Sequence, residues 1–109
     1  PGDRAKISTG IRLAVPAGYE AQVRPRSGLA WRFGLGMVNS PGTIDSDYRG
    51  VVSVLLAIWG REPIVIRRGD RIAQLVVAPV ARVEWEEAVG DDLPSSERDE
   101  GGFGHTGRE

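Results

Sequence analysis

The amino-acid sequence predicts an all-β fold, a sandwich, barrel or jelly roll with one short helix, and three observations carry that expectation. Runs rich in Val and Ile alternate with polar residues at a period near two, the spacing of a half-buried strand. Gly (15) and Pro (7) interrupt these runs at short intervals. Only one stretch carries both a helix-starting and a helix-stopping residue.

Along the chain, Ile7, Thr9, Ile11 and Leu13 alternate with Ser8, Gly10 and Arg12. Tyr19, Ala21 and Val23 alternate in turn with Glu20, Gln22 and Arg24, and Pro16-Ala17-Gly18 supplies the turn between the two strands. The helical stretch is Ser27 to Phe33, with Ser27 placed to cap it and Gly34 to end it. Asn39 to Gly50 reads as a polar hairpin whose tip, Ser40-Pro41-Gly42, is good turn chemistry. Further strands are expected over Val51 to Ile58, Ile64 to Ile66, Ile72 to Val77 and Val80 to Trp85. Turns separate them at Gly60 to Pro63, at Arg68-Gly69-Asp70 and near Pro79. From Pro94 to Glu109 the only large apolar side chain is Phe103, so this tail cannot pack a core of its own. The expected organisation is a β domain over residues 1–93 and a flexible Gly-rich tail over 94–109.

With 109 residues, 40% of them hydrophobic, the chain has room for one domain and a modest core. Lys and Arg number 14 and Asp and Glu 15, so no global field draws it to nucleic acid or to an anionic membrane. An anion must be held by a local cluster of cations. Cysteine is absent, which excludes a disulfide framework or a thiolate metal site and fits a reducing compartment. The longest apolar run, Val51 to Trp59, is broken by Ser53 and is far short of the roughly 20 residues of a membrane-spanning helix. A cytoplasmic location is expected. The sequence opens on Pro1-Gly2-Asp3 rather than Met, and an upstream segment is expected to have been removed or left out.

Four constellations could carry chemistry. Arg24-Pro25-Arg26-Ser27-Gly28 leads a strand into the helix, setting free backbone N–H groups beside a guanidinium and a hydroxyl, a natural phosphate seat. Alone, the pentapeptide reads better as a cap with solvated arginines, and an arginine arm for a DNA minor groove fits poorly inside a slightly acidic chain. Asp45, Asp47 and Tyr48 lie close together in the hairpin, where they could orient a water and a ring or merely pair with an arginine and cap a turn. In a regular strand Asp45 and Tyr48 would face opposite sides, so a joint role requires a bulge or bend. Gln74 is polar in an apolar strand, and is read either as a ligand or as a rim residue bonded to backbone. Arg98 to Gly107 lacks the order of a phosphate-binding P-loop and no helix follows it. It could still be a strap that pairs Arg98 with phosphate and stacks Phe103 on a base, or simply a disordered end. His105, the only histidine, reads as a solvated tail residue, and a cage of histidines around a metal is impossible.

In order and wording these segments resemble the trimeric deoxyuridine triphosphatase (dUTPase) family. Its second motif matches Arg24 to Ala30, its third Gly42-Thr43-Ile44-Asp45-Ser46-Asp47-Tyr48-Arg49-Gly50, its fourth Arg68 to Gln74, and its fifth Arg98 with Gly101 to Gly107. The family's first motif, a strand ending in Asp-Leu upstream of a Pro-Gly-Asp turn, lies before Pro1; its aspartate helps hold hydrated Mg²⁺ in the family. Asp99 stands where many relatives carry Gly.

The resemblance implies a jelly-roll-like, distorted β-barrel subunit in a homotrimer with shared active sites, hydrolysing dUTP to dUMP and pyrophosphate with Mg²⁺. Asp45 would be the general base for attack of water on the α-phosphorus. Arg26, Ser27, Gly28, Gln74 and Arg98 would meet the triphosphate, and Mg²⁺ would be held through phosphates and waters, with no side chain of this sequence touching it directly. Asn39, Gly42, Thr43 and Ile44 would read uracil, Ser53 would join the pocket, Tyr48 would lie under the deoxyribose, and Phe103 and Gly104 would close over the base. Two other readings stand beside it: a nucleotide-sensing module that does not hydrolyse, and an enzyme like dCTP deaminase.

Overall fold

The structure, a computed structural model, describes residues 1–90 and 93–108. Its elements are β1 (Arg4–Arg12), β2 (Tyr19–Arg24), α1 (Ser27–Phe33), β3 (Leu35–Met37), β4 (Gly42–Ile44), β5 (Val51–Ile58) and β6 (Gln74–Pro79). Two three-stranded antiparallel sheets result, ordered β1-β5-β3 and β4-β2-β6. The expected fold class is the one observed.

Period-two patterning explains how the sheets meet. On β5, Val52, Val54 and Leu56 are buried while Val51 and Leu55 are exposed. Leu35 and Met37 join them from β3, and Ala21, Val23 and Ile44 face them from the other sheet. Val15 completes the core. Burying each such aliphatic side chain stabilises by about 1.5–3 kcal/mol relative to exposure.

α1 begins and ends where the sequence predicts, but its start is built differently. Arg26 is the N-cap in extended conformation, no side chain caps the helix, and Ser27 is its first residue. The expected Ser27 cap is therefore corrected: the β2-to-helix bend falls one residue earlier, so Ser27 already lies within the helix. Gly34 does end the helix, in left-handed conformation at φ 63°, its N–H reaching the Ala30 and Leu29 carbonyls. The Trp59 N–H donates to the Gly34 carbonyl at 2.7 Å, tying the helix end to the end of β5.

Two expected strands are absent. Ile64 and Ile66 pack on the core while Val65 is exposed, so the alternation is real but reports facing, not pairing; no ladder forms there. Val80 to Trp85 is also outside any sheet. Val83 and Trp85 are 70% and 95% exposed, so the segment packs neither its backbone into a ladder nor these side chains into the core. The last strand likewise starts at Gln74 rather than Ile72. The radius of gyration, 19.1 Å, exceeds the roughly 13 Å of a compact domain of ~100 residues, as a long segment lying off the sandwich requires. Among the described residues, no helix is long and apolar enough to cross a membrane.

Candidate active site

β4 is an edge strand, paired with β2 on one side only, so its other edge keeps backbone donors and acceptors free. Directly after it the chain turns sharply: the Tyr48 N–H donates to the Asp45 carbonyl at 3.2 Å. That turn supplies the bend that a joint role for Asp45 and Tyr48 requires. Both side chains line one cavity of about 360 Å³, with Asn39, Thr43, Ile44 and Ser53, a volume in the range of small-molecule sites. Gly42, the remaining hairpin candidate, is buried in β4 against Val23 and Asn39.

The turn is held from several sides. Arg49 Nη1 donates to the Ser46 and Tyr48 carbonyls at 2.7 and 3.0 Å. From β1, Arg12 Nε donates to the Arg49 carbonyl at 2.6 Å. A bulge explains that reach: Ser8 pairs with Ser53 but Arg12 with Val51, so β1 carries extra residues against β5. Thr9 Oγ1, within the bulge, donates to the Val52 carbonyl at 2.7 Å. Bulges often re-aim side chains beside sites.

A second cavity, of about 610 Å³, is lined by Arg26 and Gln74 together with Asp70, Arg71, Thr9 and the apolar side chains of Ile11 and Leu13. Arg26 Nη1 donates to the Arg71 carbonyl at 2.8 Å, which fixes one end of its guanidinium and leaves the other donors available. Ser27 and Gly28 sit exposed at the adjacent helix start. The first helical bond is from the Ala30 N–H to the Arg26 carbonyl, so the N–H groups before Ala30 have no partner within the helix. One guanidinium, one amide side chain, one hydroxyl and free N–H groups suit a polyanion.

The two cavities draw on opposite sides of β5. The larger takes Val52 and Val54, whereas the hairpin cavity takes Val51, Ser53 and Leu55, with Val52 bordering both. Alternate residues of a strand point to opposite faces. The chain thus brings Asp45 and Tyr48 together, and Arg26 and Gln74 together, but puts the pairs on different faces of a sheet.

Arg98, Phe103 and Gly104 join neither cavity. Arg98 donates to the Gly101 and Gly102 carbonyls within its own loop, and Phe103 is fully exposed. Glu109, the last residue of the expected tail, lies outside the described residues, as do Asp91 and Asp92 before it. Lys6 also borders the hairpin cavity, a residue not singled out in the sequence; its signal was the even-numbered, outward phase of β1. Among the described residues no group of three or more His, Cys, Asp or Glu side chains gathers.

The dUTPase family model matches residues 1–107. A deoxyuridine 5'-triphosphate nucleotidohydrolase of Anaeromyxobacter sp. (strain Fw109-5) is 61% identical over 99% of this chain and 72% of its own length. Among solved structures, a mutant dUTPase of Staphylococcus bacteriophage 80alpha with dUpNHpp superposes with a TM-score of 0.71 at 20% identity, over 97% of this chain and 82% of that one. A mutant dUTPase of phage phi11 of S. aureus, whose structure describes coordination of a structural Mg(II) ion, gives 0.69 at 23% identity, over 85% and 76%. At those identities the likeness is one of fold.

Proposed function

The chain belongs to the dUTPase family, and from that premise we propose that it hydrolyses dUTP to dUMP and pyrophosphate, keeping uracil out of DNA and supplying dUMP for thymidylate synthesis. The observation that carries the reading is the gathering of Asp45, Tyr48, Asn39 and the open edge of β4 around one cavity.

Uracil pairs its edge with the free backbone of Gly42 to Ile44, and Asn39 completes the pattern. Cytosine presents a donor where uracil presents an acceptor, and a buried unmatched polar group costs more than a matched one gains. The face of the Tyr48 ring packs against deoxyribose. Arg26, Ser27, the Gly28 N–H, Gln74 and Arg98 hold the phosphates, so the counter-charge is local and the near-zero net charge of the chain is no obstacle. Asp45 takes a proton from the water that attacks the α-phosphorus in line, and pyrophosphate departs. The tail, residues 94–109, acts as a strap: Arg98 pairs with phosphate, Phe103 stacks on the base beside Gly104, and water is expelled.

The cations and donors around Arg26 and Gln74 suit a triphosphate that carries Mg²⁺, and such an ion would be held mainly by phosphate oxygens and waters, the habit of Mg²⁺. When bound with substrate it spreads the charge of the leaving pyrophosphate. Asp45 is the carboxylate that lines the hairpin cavity among the described residues, and it would face the ion through water rather than as a ligand.

Each site is assembled from more than one chain of a homotrimer. The opposite placement of the two residue pairs across β5 supports this, because one triphosphate nucleotide cannot reach both faces of a sheet. Exposed Val77, Val80, Val83, Trp85 and Val89 support it too, as apolar surface that a neighbouring copy would cover. The working compartment is proposed to be the cytoplasm.

The test is pyrophosphate release from dUTP compared with dCTP, dTTP and UTP in the presence of Mg²⁺. Strong preference for dUTP is expected. Tight dUTP binding without pyrophosphate would favour a sensing module, and ammonia released from dCTP would favour a deaminase.

A further inference from the structure

Gly50 is a glycine the backbone does not need. It is absent from the positive-φ glycines of the chain, so an L side chain could adopt its conformation. What forbids a side chain is Tyr48. A Cβ built on Gly50 would overlap the tyrosine hydroxyl and come within 2.6 Å of Cζ and 2.9 Å of Cε1. The ring folds back over this bare Cα, and its hydroxyl donates to the Val51 carbonyl at 3.0 Å.

The hydroxyl is therefore engaged on the protein, and the part of Tyr48 left for the cavity is an apolar ring face, 45% of the residue being exposed. An apolar face held in one position rejects an added hydroxyl by bulk and by leaving it unpaired. A ring free to swing would yield to it. The surrounding bonds, Arg49 to the Ser46 and Tyr48 carbonyls and Arg12 to the Arg49 carbonyl, hold the backbone on either side but do not touch the ring.

We propose that Gly50 is the positioning residue that sets sugar specificity: its missing side chain makes the seat in which the Tyr48 ring is clamped, and so fixes the surface that excludes ribonucleotides. This rests on the reading of Tyr48 as the sugar-facing residue. Gly50 itself touches neither nucleotide nor reacting atoms; it acts through the ring.

The experiment compares kcat/KM for UTP and dUTP in Gly50→Ala, Tyr48→Ala and the double variant, with the oligomeric state and Tm of each. Gly50→Ala is expected to raise the UTP-to-dUTP ratio by about tenfold or more, the scale of a single steric contact in a pocket. In the Tyr48→Ala background the same substitution is expected to add no further change, because the group it displaces is gone. A Gly50→Ala protein of unchanged ratio and normal fold would overturn the proposal. If instead Tyr48→Ala leaves the ratio unchanged, the sugar-facing reading of Tyr48 is what fails. Should Gly50→Ala not fold, the double variant decides: a folded double variant locates the conflict at the ring, and one that is also unfolded means the turn itself needs glycine, against the proposal.

Discussion

The hairpin turn at 45–51 and the tail at 94–108 are both polar, both contain glycine and an aromatic ring, and both are assigned to the nucleotide, yet they are held in opposite ways. In the turn, Arg12 reaches across from β1, Arg49 ties down two carbonyls, and the Tyr48 hydroxyl is anchored on Val51. Among the described residues the tail bonds only to itself, through Arg98 to Gly101 and Gly102 and through Ser96 with Asp99, and Phe103 is fully exposed. In the proposed reading, recognition of base and sugar is set before substrate arrives, which limits the entropy lost on binding. In the same proposed reading, the ordering cost of the tail falls only when a ligand offers phosphate and a ring to stack on.

That contrast sets the size of the expected effects. The largest belongs to Asp45, placed by the preformed turn: Asp45→Asn should keep dUTP binding near wild type while turnover falls by about 10²–10⁴, the usual share of a general base. Binding by titration calorimetry beside pyrophosphate release measures both, and retained turnover would remove Asp45 from the role. Truncation after Glu97 comes next. Loss of one charge-assisted phosphate contact, at about 1.5–3 kcal/mol, corresponds to roughly 10- to 100-fold in kcat/KM, with oligomeric state unchanged. An unaltered rate would mean the tail takes no part. Smallest is Arg12→Ala, which removes one exposed bond to the turn at about 0.5–1.5 kcal/mol. A few-fold rise in KM for dUTP with little change in Tm is expected; a full loss of folding would show the bulge contact to be structural instead.

Long alternating runs were legible in the sequence because a strand with one buried face writes its geometry into every second residue. β2, β5 and α1 follow from that pattern and from Gly34. β3 did not, since Leu35-Gly36-Met37 is wholly buried and three residues carry no period. Ile64 and Ile66 misled for the converse reason: alternation reveals which way side chains face and is silent on whether backbone finds a partner. At the site, the sequence brings Asp45 and Tyr48 together in one hairpin, but the turn that lets them share a cavity leaves no mark in the alternation, and their separate roles are implied by the family resemblance. Arg12, Lys6 and Gly50 are not site candidates in the sequence because their significance lies in a bulge, a strand phase and an absent Cβ.

The proposed function has a site shared between chains, with the hairpin of one copy serving the Arg26 and Gln74 face of another. Mixing Asp45→Asn protein with Arg26→Ala protein under conditions that exchange subunits tests it most directly, by pyrophosphate release from dUTP. Two variants each nearly inactive alone should regain activity together, because some mixed trimers hold a site with both residues intact. A mixture that exchanges subunits yet stays as inactive as its parents would place Asp45 and Arg26 of one chain in the same site, and would contradict the account.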